Sequence, residues 1–513
     1  MYLNEKINKI KATLLKPQSV ATGTLSILVF TVVSKALGFV REMVIAANFG
    51  TSWRFDALIV AMESTSTLGG IFSAAIAAMM VPIYVGVLRK NDIEKTHAYV
   101  TQILFISSLL LLGFGVLFSV FPHFFIWIFA PKFSGEAFEY AVRKMRITGF
   151  IPFIQGFHSL SIALLNAEKK YMLASIIQLI FNVVLIPMIL IFAPFFSEAS
   201  YLLAFITGLL MMDIALLYIF RKKIEWKKSL QFYKNPAVKE TITLSLPLII
   251  TGSLGIINPI VDKAFASSLK DGSISALRYA QTIMGMVVTL IIGSFLTTVF
   301  TELSEQIADN NKKALENRLK KTSNDLFNLL VPLTFWMVLM AEPIIKIVYE
   351  RGEFTSDSTQ MVVIAFIGYS ATLILSPVSN LMSLLFKAYK KTNTLLLITI
   401  ISILLNFVFN ALLIKKLGIL GLTLSTSFVT IVLLLVSGII QRKIFKIKYF
   451  DKSKIIIITL FSAILFVILL FLKNQIHYKL WLIIANIVFL IFLVYFNKRN
   501  VLILYSKIKR HRL

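Results

Sequence analysis

Cysteine is absent from the 513 residues. Disulfides, thiolate metal sites and cysteine nucleophiles are therefore excluded, and redox compartment cannot be read from the chain. Charge is scarce as well: Asp, Glu, Lys and Arg make up 15% of residues, against about 25% in ordinary globular chains. Acidic charge is the scarcer sign, with 25 Asp plus Glu against 52 Lys plus Arg. No G-x-x-x-x-G-K-[ST] phosphate loop occurs, so there is no sign of ATP hydrolysis, and any energy the chain uses would come from an ion gradient, the membrane potential or a ligand's own gradient. What remains is apolar, 58% of the chain including 43 Phe. The runs between charged clusters reach the ~20 residues that a bilayer-crossing helix needs. These features define an all-α polytopic membrane protein. Fourteen such helices would take up roughly 280 residues, leaving little for a soluble domain.

Apolar windows fall at about 22 to 49, 55 to 88, 98 to 122, 144 to 166, 172 to 194, 201 to 220, 241 to 269, 273 to 300, 325 to 348, 359 to 386, 394 to 414, 418 to 440, 455 to 472 and 479 to 496. The net charge of +27 would suggest nucleic acid in a soluble protein, but here it sits in short loops. With the N-terminus inside, 36 of the Lys and Arg residues lie in inner segments and 11 in outer ones. That bias places both termini in the cytoplasm. Met1 to Gln18, with Lys6, Lys9, Lys11 and Lys16, precedes a run too long for a signal-peptide core, so an uncleaved first span is expected. Inner loops such as Lys222-Lys223 and Lys227-Lys228 suit anionic lipid head groups, which accounts for them without nucleic acid.

The most basic inner loop, Arg221 to Glu240, lies almost midway and contains Pro236. It reads as a linker between six-helix lobes, residues 1-230 and 231-440, with 441-513 forming a final helix pair and basic tail. Each half opens alike: Thr24-Leu25-Ser26, Gly38 and Arg41-Glu42 in the first, Thr243-Leu244-Ser245, Gly255 and Asp262-Lys263 in the second. A weaker echo pairs the segment from Leu165 to Lys170 with that from Leu385 to Lys391. Such repeats are common in secondary transporters, whose substrate site lies between the halves. Chance similarity between apolar stretches is the other reading.

Charges inside spans cost about 2.5 to 3.5 kcal/mol each on insertion scales, so they face a wet cavity or a partner. Lys35 and Arg41 lie in the first span with Gly38 between them; Asp56 and Glu63, two turns apart in the second, share a face and are natural partners for those cations. Asp262, Lys263 and Arg278 repeat the theme in the second half. A cationic cavity suits a phosphate-bearing ligand, because Arg binds phosphate oxygens bidentately. The alternative is that these residues form neutralising ion pairs between helices, or that Lys side chains snorkel. Glu342 and Lys346 read as a local helix pair. His158, the one His well inside a span, reads as a satisfied polar side chain rather than a metal ligand. No cofactor is indicated, and oligomeric state is not legible.

The segment Ser34-Lys35-Ala36-Leu37-Gly38-Phe39-Val40-Arg41-Glu42, followed by Ala46-Ala47-Asn48-Phe49-Gly50 and Phe55-Asp56-Ala57, resembles the opening of the MurJ (MviN) lipid II flippases of the multidrug/oligosaccharidyl-lipid/polysaccharide exporter superfamily. The stretch from Val261 to Ser267, Gly272 to Leu277, Glu350-Arg351-Gly352-Glu353-Phe354-Thr355 and Phe386 to Thr394 extend the resemblance over about residues 20 to 440. It implies two six-helix lobes plus a final pair, in a bacterial cytoplasmic membrane. It also implies movement of undecaprenyl-pyrophosphate-linked peptidoglycan precursor from the inner to the outer leaflet by alternating access. The family's basic first-span residues carry over to Lys35 and Arg41, and its acidic second-span residue to Asp56. Departures are Gly69-Gly70 and Ala74-Ala75-Ile76-Ala77 where the family usually has Arg-Arg and E-G-A-F, and Thr282 where it usually has an arginine; Arg278 lies one turn before Thr282.

The expected function is therefore a lipid II flippase, not an enzyme, whose partner is a lipid-linked saccharide. Coupling is expected to a monovalent cation gradient or the membrane potential. The missing arginines favour, as the alternative, a flippase for another polyprenyl-pyrophosphate-linked glycan of capsule or teichoic type. A polytopic lipid-carrier glycosyltransferase would need a substantial outer loop, and the longest here, Pro122 to Arg143, is short. A cation-coupled drug exporter would bind amphipathic cations that Lys35 and Arg41 repel.

Overall fold

The computed structural model describes residues 20–89, 92–309, 311–389, 391–447 and 452–496. The basic N-terminal residues Lys6, Lys9, Lys11 and Lys16, Lys390 of the second basic echo, and the tail beyond 496 lie outside the described residues. Within them the chain runs as helices α1 (Val20–Phe49), α2 (Trp53–Leu88), α3 (Ile93–Val120), α4 (Pro122–Phe129), α5 (Gly135–Thr148), α6 (Ile151–Ala167), α7 (Tyr171–Phe196) and α8 (Ala199–Phe220). A 3-10 helix (Trp226–Lys234) follows, then α9 (Pro236–Gly255), α10 (Ile257–Ala266), α11 (Ser273–Ala308), α12 (Lys312–Leu339) and α13 (Ala341–Tyr349). The last four are α14 (Ser356–Ala388), α15 (Thr392–Phe445), α16 (Lys452–Lys473) and α17 (Tyr478–Phe496).

Helix ends follow local chemistry. Ser52, Asp92, Asn235 and Asn311 cap α2, α3, α9 and α12, each side chain accepting a first-turn N–H, which satisfies a donor that has no partner inside its helix. Pro236 opens α9 where its missing N–H costs nothing. Proline also lies inside α2, α7, α9, α12 and α14, as membrane helices tolerate.

Among the described residues nine helices are long and apolar enough to cross a membrane alone, or eleven spans if each of two bent pairs is one crossing. Those pairs are α5–α6, bent by 41°, and α12–α13, bent by 70°. The 54-residue α15 is divided at Gly418, where φ 56° and ψ −130° are not helical, so it holds two apolar windows rather than one. Each of the fourteen windows read from the sequence falls on helix, which is consistent with fourteen crossings.

The chain divides into two compact units, residues 1–275 with 349–358, and residues 276–348 with 359–513. In the first, α7 packs on α8 and α1, and α2 packs on α5, α6 and α9. In the second, α12 packs on α16 and α17, and buried polar groups join neighbouring helices: Ser427 Oγ donates to the Gly368 carbonyl at 2.7 Å and Gln441 Nε2 to that of Met382 at 2.7 Å.

Candidate functional site

Three turns interlock at one end of the first unit. Gly50, Gly272 and Gly352 have φ of 53°, 83° and 59°, a region costly to any residue with a Cβ. A Cβ on them would run into the carbonyl oxygens of Glu353, Thr51 and Ala47 respectively. Glu353 N–H donates to the Ala47 carbonyl at 2.8 Å, and the Thr51 and Ser358 hydroxyls lie 2.7 Å apart. Sequence motifs around residues 46–50, 272–275 and 350–355 are thus the parts of one clasp.

Asp56 belongs to this clasp. Its buried carboxylate accepts from Ser275 N at 2.7 Å, Ser275 Oγ at 2.6 Å and Ile274 N at 3.3 Å, so it sits on the N-terminal donors of α11, where negative charge is favoured. Glu63, two turns along, takes Lys263 at 2.7 Å. The two carboxylates do share a face, but that face is met by the segment 263–275 and not by Lys35 and Arg41 as expected. Helical rise explains why for Asp56: Arg41 lies roughly 12 Å down α1 from the turn at 50–52 and Asp56 only about 5 Å down α2.

Arg41 is instead held by its neighbour. Its Nη2 lies 2.8 Å and its Nε 3.2 Å from Glu42 Oε1, Nη1 donates to Asn182 Oδ1 on α7 at 3.2 Å, and the guanidinium sits 5.8 Å from the Phe181 ring centre. These bonds use three of the five guanidinium N–H groups. Asn182 and Phe181 line a polar cavity of about 520 Å³ together with Ser34, Gln155, His158 and Gln178. Lys35 follows Ser34 on α1 and is exposed. Asp262 stands beside Lys263 on α10, within the first unit, whereas Arg278 is on α11 in the second.

His158 lies against an acid that the sequence reading did not pair with it. Its Nδ1 faces Asp213 Oδ1 of α8 at 3.8 Å, beyond hydrogen-bond reach, with side chains 15% and 11% exposed. Neither atom has a hydrogen-bond partner among the described residues. Asp213 was overlooked although it is the sole charge in the window 201 to 220; an acid interrupting an apolar span was the available signal.

At the opposite end, Glu168 follows the last residue of α6. It accepts from Tyr84 Oη at 2.7 Å and from Lys170 Nζ at 2.7 Å, and pairs with Lys223. Burial alone would raise its carboxyl, but the hydrogen bonds from Lys170 and Lys223 hold it below the usual range.

A family model described as lipid II flippase MurJ matches residues 45–495. A probable lipid II flippase MurJ of Rickettsia prowazekii (strain Madrid E) is 28% identical over 406 residues, covering 77% of this chain and 79% of that protein. One from Vibrio cholerae is 24% identical over 415 residues, covering 77% and 78%. A solved lipid II flippase MurJ in an inward closed conformation aligns with TM-score 0.78 at 24% identity over 93% of this chain and 99% of that one. An inward-facing multidrug resistance MATE family transporter of the MOP superfamily aligns with TM-score 0.66 at 15% identity over 80% and 94%. At these identities the solved structures speak to the fold alone.

Proposed function

The chain belongs to the lipid II flippase MurJ family, and from that premise we propose that it moves lipid II, an undecaprenyl-pyrophosphate-linked peptidoglycan precursor, from the inner to the outer leaflet by alternating access. The observation that carries the reading is the family match across 45–495, which spans all but the first of the apolar windows and part of that one. In this reading the protein lies in a bacterial cytoplasmic membrane with both termini inside, supported by the bias of Lys and Arg toward inner loops. It changes the leaflet of its substrate and no covalent bond.

Arg41 is the residue on which recognition centres. Among the described residues two of its N–H groups are uncommitted, and its partner Asn182 lines a polar cavity, which suits bidentate contact with phosphate oxygens. Lys35 adds a mobile charge on the same helix. Asp56, Glu63 and Lys263 then act on the clasp, and basic inner loops hold anionic lipid.

A second reading, transport of another polyprenyl-pyrophosphate-linked glycan, is favoured by Gly69. A Cβ there would lie 2.6 Å from Pro152 Cβ, so the position where the family resemblance expects an arginine is packed against α6. The test is to deplete a resident lipid II flippase and express this chain. Restored lipid II at the outer leaflet supports the first reading, and a stable protein that restores none puts the second ahead. A new covalent product from purified protein in liposomes would overturn both.

A further inference from the structure

We infer that His158 and Asp213 form a proton-binding site that couples transport to a proton gradient; the inference rests on the flippase reading. An ionised carboxylate at this depth without a hydrogen-bond donor is costly. The arrangement nevertheless leaves Asp213 Oδ1 facing His158 Nδ1 at 3.8 Å, the carboxylate oxygen without a hydrogen-bond partner among the described residues and the imidazole with no closer group than the Ile154 backbone of its own helix. Such a pair has two inexpensive forms, both neutral or a mutual ion pair, which differ only in where one proton resides. Adding or removing a proton leaves net charge on a largely buried pair, and a transport cycle can use that imbalance to favour one conformation over another.

The surroundings give the pair a route and a listener. His158 borders the polar cavity of about 520 Å³, whereas Asp213 borders a separate, apolar cavity of about 410 Å³ lined by Leu104, Phe157, Leu217 and Trp226. The imidazole thus separates water-compatible space from a greasy groove. The polar cavity is also lined by Asn182, which holds Arg41. A change of net charge on the pair is therefore felt at the guanidinium assigned to the pyrophosphate.

The other ionisable groups on the packed helices are few. On α1 they are Lys35, and Arg41 and Glu42 paired with one another. On α2 there is none between Glu63, which binds Lys263, and Tyr84, which binds Glu168; on α3 there is none after Tyr99. On α7 there is Tyr171 alone, and on α8 Tyr201 and Tyr218 besides Asp213. The pair is thus the titratable element of this interior. A metal cation fits poorly, since one carboxylate is opposed by an imidazole nitrogen and no group of three acidic or His ligands exists among the described residues.

The test uses the full chain in proteoliposomes with fluorescent lipid II and an imposed pH gradient, alongside infrared difference spectra. At one proton per lipid, each unit of gradient is expected to shift the leaflet ratio about tenfold, and Asp213→Asn and His158→Gln are expected to abolish that shift while Asp213→Glu retains part of it. A protonated-carboxyl band that titrates in the wild type is expected to vanish in Asp213→Asn. A gradient response that survives Asp213→Asn, a band that survives it, or a response to sodium in place of protons each overturns the inference. Flipping that occurs without any gradient response overturns coupling and leaves the flippase reading intact. Absence of flipping under every condition sinks that reading instead, and the infrared band still decides whether the pair binds a proton.

Discussion

Two buried aspartates of the first unit make opposite use of the same chemistry. Asp56 receives two backbone N–H groups and a hydroxyl within 3.3 Å, whereas Asp213 Oδ1 has no hydrogen-bond partner among the described residues and faces an imidazole at 3.8 Å. The first carboxylate is fully employed in tying α2 to the start of α11. The second contributes nothing comparable to holding the fold together. A buried acid with complete donors is an architectural part, and one without them is a cost that a working cycle can exploit.

The contrast can be broken or sharpened by substitution, and the largest effect is expected in the clasp itself. Gly352→Ala places a Cβ in a left-handed backbone and against the Ala47 carbonyl, and should cost roughly 3 kcal/mol or more. Gly135→Ala, at a similar φ of 54° with open space around it, should cost only about 1 to 2 kcal/mol. Thermal unfolding in detergent compares the two, and equal losses would refute the interlock. Asp56→Asn should cost roughly 2 to 3 kcal/mol, because an amide turns donors toward donors.

Glu168→Gln should cost about 1 to 2 kcal/mol at neutral pH. Its carboxyl is held below the ordinary range, so its contribution is present above the unfolded-state value and disappears as pH falls through the folded one. The gap between Glu168→Gln and wild type in Tm should therefore close on acidification. Glu63→Gln, at a carboxylate 36% exposed, should change stability by no more than about 1 kcal/mol. Asp213→Asn is expected to leave Tm unchanged or to raise it, since it removes a charge that has no compensating bond. A large loss there would place Asp213 with Asp56 and erase the distinction.

Much of this was legible in the residues. Apolar length placed every helix window, including the pair inside α15, because bilayer thickness imposes one length on each crossing. Arg41 and Glu63 stood out as charges within spans. Their partners did not, since Glu42 was seen as half of a repeat and Lys263 lies 200 positions from Glu63. Spacing along one helix tells which side chains share a face; it says nothing of which other helix arrives there. Asp56 was therefore matched with first-span cations, when two of the three donors waiting for it were backbone groups of α11, which carry no side-chain signature. The positive φ of Gly352 and the packing of Gly69 on Pro152 likewise arise only once distant segments meet.

Trp481 offers a practical return. Its indole is wholly enclosed, donates from Nε1 to the Leu469 carbonyl at 2.6 Å, lies 5.8 Å from the Tyr478 ring and carries the Lys473 ammonium at 5.6 Å. Trp127 and Trp226, by contrast, are largely uncovered. Undocking of α17 from α16 would strip that indole of its shell and redden its fluorescence, so the protein carries its own optical gauge for the closing hairpin, readable without any attached dye.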